Sequence, residues 1–160
     1  MSIFAKSSFP GPARTKDSQT VAVLYAGILV VFIVSQLFSF EEFLVLVQSF
    51  QLPGGDTLAY VSAALFISVE LFALPFLLRM RLSFAFRYVS MLCSWLAAVA
   101  WVYISTWLLL SNSQVDTVGF LGTVISVMPG VPALLISLSL CVLAVWSSWG
   151  LWPHRHSLTK

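Results

Sequence analysis

Four long apolar runs constrain this chain more than any other feature. They cover about 20 to 39, 57 to 78, 84 to 110 and 131 to 152, and each reaches the roughly 20 residues that an α-helix needs to cross a bilayer core. Hydrocarbon offers no partner to backbone N–H and C=O groups, so runs like these cross it as helices, whose hydrogen bonds close within the segment. Composition agrees, with 59% hydrophobic and 9% charged residues against about 25% charged in soluble domains. The expected fold is all-α: an integral membrane four-helix bundle over 20–152, with a polar arm over 1–19 and a tail over 153–160. Neither end is long enough to bury a core of its own. The first run exceeds a signal-peptide apolar region, and no small-x-small cleavage site follows it, so it reads as a retained helix.

Charge sets the expected orientation. Lys6, Arg14 and Lys16 precede the first run, Arg79, Arg81 and Arg87 surround the turn between the second and third, and Arg155 and Lys160 end the chain. With four crossings these groups share one side, which the positive-inside rule makes cytoplasmic, and both termini lie there. The opposite loops carry Glu41, Glu42, Asp56 and Asp116. The net charge of +2 is therefore a topological asymmetry and gives no reason to invoke nucleic acid.

The loops are not featureless. In FEEFLVLVQSFQLPGGD, Phe40, Phe43, Leu44, Val47 and Phe50 fall at helical spacing opposite Glu41, Glu42, Gln48 and Ser49, the pattern of a short amphipathic outer helix. Pro53, Gly54 and Gly55 break it, and Asp56 is the expected N-cap of the next span. Before the last span, SNSQVDTVGFLGTVISVMPGVP is too polar at its start to continue a crossing, and its apolar second half fits an interfacial or re-entrant piece, with Pro132 in the first turn of the last helix. Trp146, Trp149 and Trp152 sit near the cytoplasmic end of that helix as an interfacial belt.

Within FISVELFALPFLLRMR, Glu70 is the one acid inside a span. Nine residues back from Arg79, it lies roughly 13 Å from the inner boundary. A carboxyl at that depth needs a partner, a proton or a purpose. Arg87, one turn into the third span, is the expected partner, and Pro75 weakens the backbone ladder nearby by removing its own N–H. Two readings stay open: a proton- or redox-linked site, or a pair that only fixes packing, the latter including a neutral Glu70 bonded to a Ser or Gln. Cys93 and Cys141 occupy comparable depths of roughly 13 to 16 Å; as isolated thiols they serve either as small apolar residues or as an exchange pair. His154 and His156 stand in the tail without a ligand cluster, so no metal is expected. Nucleotide-binding and hydrolase motifs are absent from the sequence.

SQLFSFEEFLVLVQSFQLPGGD followed by FISVELFALPFLLRMRLSFAFRYVS combines a first helix, an F-x-x-F outer segment, a Pro/Gly turn, an acid in the second span and a short basic turn. The combination resembles the MauE/DoxX group of small four-helix membrane proteins, in particular the methylamine-utilisation MauE type. That resemblance implies a bacterial inner-membrane accessory protein, bound by lipid, that assists maturation or redox processing of a periplasmic dehydrogenase subunit, with no cofactor and no independent catalytic activity. The lack of a vicinal cysteine pair speaks against a thiol oxidoreductase. Glu41, Glu42 and Asp56 are the candidate partner-binding acids, their alternative role being solvation and capping. The other functional class is a structural subunit of a larger membrane or respiratory complex.

Overall fold

The computed structural model describes residues 14–51, 55–111, 115–123 and 125–152, without the Asp56 side chain. The fold is all-α, with helices α1 (Lys16–Phe38), α2 (Phe40–Ser49), α3 (Gly55–Leu77), α4 (Phe84–Leu110) and α5 (Val131–Gly150). Four of them, α1, α3 from Thr57, α4 and α5, are long and apolar enough to cross a membrane, as the four runs predict. The chain is a multi-pass membrane protein.

Around the bundle the order is α1, α3, α4, α5 and back to α1, with α2 lying chiefly on α3. The Arg14 N–H donates to the Gly150 carbonyl at 3.1 Å, and the Arg79 guanidinium donates to Gln19 Oε1 at 3.0 Å. Arg14, Gly150 and the α3–α4 turn therefore share one end of the bundle, called the termini end. The opposite end is roofed by α2 and the segment 115–130, the cap.

Apolar side chains cover the outside of the bundle as well as its interior. Val23, Val34, Leu65, Leu96 and Val142 face outward, whereas Ser18, Ser90, Ser94, Ser105, Ser137 and Ser147 are buried with Ala22, Ala63, Ala97 and Ala144. Lipid is as apolar as leucine, so helix association relies on close packing and interhelical hydrogen bonds, which small and hydroxyl residues permit. At Gly150 α5 packs so closely on α1 that a Cβ would lie 2.1 Å from Ser18 Cβ. Across the bundle, the Tyr25 hydroxyl donates to the Ser94 carbonyl at 2.8 Å and the Trp95 indole donates to Ser148 Oγ at 3.1 Å.

Pro75 leaves α3 continuous because α4 repairs it. The Phe76 N–H donates to Ser90 Oγ at 2.9 Å, and that hydroxyl donates to the Phe72 carbonyl at 2.6 Å. A side chain is thus inserted where the backbone bond from Phe76 to Phe72 would run. Four residues beyond Pro75, Arg79 adopts the left-handed region at φ 55°. Met80 N–H bonds to the Pro75 carbonyl and Arg79 N–H to that of Phe76, the Schellman pattern that closes a helix.

The amphipathic outer helix forms as α2, burying Phe43 and Val47, with Phe50 beyond its end, and exposing Glu41 and Glu42. One expectation changes. Asp56 is not the cap residue of α3, because that helix already begins at Gly55; its side chain lies outside the described residues. The segment before α5, expected as an interfacial or re-entrant piece, forms no helix among its described residues. It folds as an irregular lid in which Val118 and Phe120 are fully buried, held by a Val118 N–H bond to the Val127 carbonyl at 3.0 Å. Gly119, at φ +86°, packs so closely on α2 that a Cβ would meet Leu46 Cδ2 at 2.8 Å. Pro132 does stand in the first turn of α5.

Candidate functional site: a buried carboxyl beneath the cap

Glu70 is 1% exposed, and its partner is an indole. Trp101 Nε1 donates to Glu70 Oε1 at 2.7 Å, while Oε2 finds no hydrogen-bond partner. Helix polarity explains why Arg87 is not the donor. Side chains lean toward the N-terminus of their own helix. Since α3 runs toward the termini end, Glu70 leans away from it, and in antiparallel α4 both Arg87 and Trp101 lean back toward it. Glu70 and Arg87 diverge; Glu70 and Trp101 converge. Arg87 instead lines a small void of about 20 Å³ at the termini end with Pro75, Arg79 and Leu151.

The carboxyl belongs to a cluster drawn from three helices and the cap. The Gln36 carboxamide of α1 lies against it and donates from Nε2 to the Phe120 carbonyl at 3.3 Å. Trp101 packs between two rings, stacked on Phe66 at 5.8 Å and 21° and tilted against Phe120 at 4.7 Å. Phe32 meets its edge at 6.1 Å. One polar atom of each amphoteric side chain is therefore spoken for, and the second is not: Gln36 Oε1, like Glu70 Oε2, is buried without a donor. Two neighbouring buried acceptors make this the most demanding electrostatic site among the described residues, since an unsatisfied polar atom costs about 1–3 kcal/mol.

Gln36 and Trp101 are the neighbours of Glu70 that sequence reasoning did not pick out. Signals existed: Gln36 is an amide within the first apolar run, and Trp101 sits nine residues from the end of its helix, deeper than a headgroup-level indole. Cys93 and Cys141 are both half-buried free thiols. Cys141 lines an outward apolar groove with Leu138, Val145 and Trp149, which gives it surroundings of the packing kind. The C-terminal tryptophans are about half exposed, and the Arg14 guanidinium sits 5.1 Å from the Trp149 ring centroid.

At the cap, Glu42 Oε2 accepts from the Thr123 hydroxyl, and Trp107 Nε1 donates to the Phe50 carbonyl at 3.0 Å. Between α2 and the lid opens a groove of about 710 Å³ whose walls include Glu42, Phe50, Trp107, Asp116 and Thr123. Glu41 lines an adjoining depression with Phe38 and Phe40. No protein-family model matches the chain, and neither the curated proteins nor the solved structures yield a match.

Proposed function

We propose that the protein is an inner-membrane accessory factor, with both termini cytoplasmic, that receives a periplasmic partner at its cap and assists that partner's maturation. The observation that carries this reading is the groove of about 710 Å³ at the cap, bordered by Glu42 and Asp116: an open, acidic, wettable surface on a molecule whose flanks are otherwise suited to lipid. Orientation is supported by residues 39–56 and 111–130, which contain no Lys or Arg, leaving every basic side chain to the other side. The resemblance to MauE supports a periplasmic dehydrogenase subunit as the partner. The isolated thiols favour assistance over catalysis, since neither has a resolving neighbour in the sequence.

Photocrosslinkers placed at Ser49 and Ser111, both at the groove, test the reading after purification from the native membrane in mild detergent. Capture of a periplasmic dehydrogenase subunit, weakened by salt and by the Glu42→Gln substitution, is expected. Copurification at fixed stoichiometry with an integral respiratory complex, and no groove-directed crosslink, would replace maturation by a structural role.

A further inference from the structure

Between α3 and α4 a crevice of about 100 Å³ runs inward to Glu70. Its walls come from matching positions of the two helices: 65, 66, 69 and 70 on α3, and 96, 97, 100 and 101 on α4. That spacing is one helix face repeated over a turn. Leu65 and Leu96 frame the mouth, each more than half exposed at 54% and 55%, so the opening faces lipid. Ala97 and Ala100 leave the room that larger side chains would fill. At the inner end stand the parallel rings of Phe66 and Trp101 and a carboxyl whose Oε2 lacks a donor although Glu70 is 1% exposed.

We propose that this crevice is a binding site, entered from the bilayer, in which Glu70 Oε2 accepts the N–H of a membrane-soluble ammonium whose alkyl tail stays between the lipid-facing sides of α3 and α4. Two features select that chemistry. The oxygen without a donor calls for a donor. A carboxyl that gives up its proton away from water calls for positive charge. Gln36 Oε1 offers a second acceptor behind the first. The assignment is independent of the partner reading, since it rests on the helix interface and not on the cap.

Dicyclohexylcarbodiimide, which partitions into lipid, reads the free site in proteoliposomes of the full chain. The carboxyl proton passes to one carbodiimide nitrogen and the carboxyl oxygen adds to the central carbon. An oxygen-to-nitrogen acyl shift then leaves an N-acylurea with no atom lost, so Glu70 gains the mass of one whole carbodiimide. Peptide mass spectrometry is expected to place the adduct on Glu70, and a water-soluble carbodiimide to leave Glu70 unmodified. Dimethyldodecylammonium at about ten times its dissociation constant should slow labelling about tenfold by mass action, and methyl dodecanoate, equal in chain length but lacking a donor, should not. Ala100→Leu should block labelling by filling the crevice. If that variant does not fold, Leu65→Ala, at an outward position, should widen the mouth and speed labelling. Failure to label Glu70 overturns the lipid entry. Equal protection by the ester overturns the ammonium assignment, and Ala100→Leu or Leu65→Ala labelling at the parent rate overturns the crevice as the route.

Discussion

Removing either the indole N–H or the carboxyl should cost more than removing both together. Trp101→Phe keeps a ring against Phe66 and Phe120 but leaves both carboxyl oxygens without a donor, because Oε2 already has none. Stranding a buried acceptor costs about 1–3 kcal/mol, to which the lost ring area adds about 1 kcal/mol. Glu70→Met removes both acceptors at similar length but strands the Trp101 N–H, and only the double variant replaces both partners by apolar groups, which is close to neutral. The double variant therefore recovers part of what Trp101→Phe loses. Interhelical hydrogen bonds in membrane bundles average about 0.6 kcal/mol in double-mutant cycles and reach about 1.7. A bond as short as 2.7 Å belongs at the upper end, so a coupling of about 1–2 kcal/mol is expected. Reversible unfolding of the four proteins by denaturing detergent in mixed micelles measures it. Additive costs, with a coupling within about 0.3 kcal/mol of zero, would refute the claim that the indole and the carboxyl act as a pair.

Three further outcomes follow from the geometry. Ser90→Ala should destabilise by about 1–3 kcal/mol, because the Phe76 N–H and Phe72 carbonyl both lose their partner. The same unfolding titration checks this, and restoring the ladder with Pro75→Ala in the same chain should recover most of the loss. Gly150→Ala places a methyl 2.1 Å from Ser18 Cβ and should cost about 1–3 kcal/mol by overpacking; a Ser18→Gly second change should relieve it, read as recovery of the unfolding midpoint. Gln36→Leu releases the Phe120 carbonyl and should raise amide hydrogen exchange over 117–127, with that of α4 and α5 unaltered.

Much of this architecture was legible because lipid imposes simple rules. The four spans and the amphipathic α2 follow from run length and from the spacing of Phe40, Phe43 and Val47, and their observed bounds stay within about four residues of those expected. The depth of Glu70 was legible for the same reason. Its partner was not, because depth along a helix does not say which way a side chain leans, and Arg87 was favoured by sequence proximity across a short turn. Pairing across antiparallel helices depends on polarity and rotation, which bring residues 31 positions apart together, Glu70 and Trp101. The segment before α5 was legible as an interfacial or re-entrant piece, but its irregular fold was not. Its apolar residues bury against α2 and the tops of the spans without helical repetition, so periodicity has nothing to report.

The cap and the buried carboxyl form one connected unit. From the groove inward, Phe120 is fixed by its neighbours in the lid, its carbonyl accepts from Gln36, and its ring packs on Trp101; Trp101 donates to Glu70 and Gln36 lies against it. Moving Phe120 therefore disturbs both contacts of the carboxyl at once. A group that satisfies Oε2 from the α3–α4 crevice acts on the same unit from the opposite side. If Glu70 served only to tie α3 to α4, one bond to Trp101 would suffice, and the contact through Gln36 to an irregular loop would add nothing. The physical link from lid to carboxyl is what gives a surface event at the cap a route to the buried acid of α3, and it is absent at Arg87, whose void lies at the other end of the bundle.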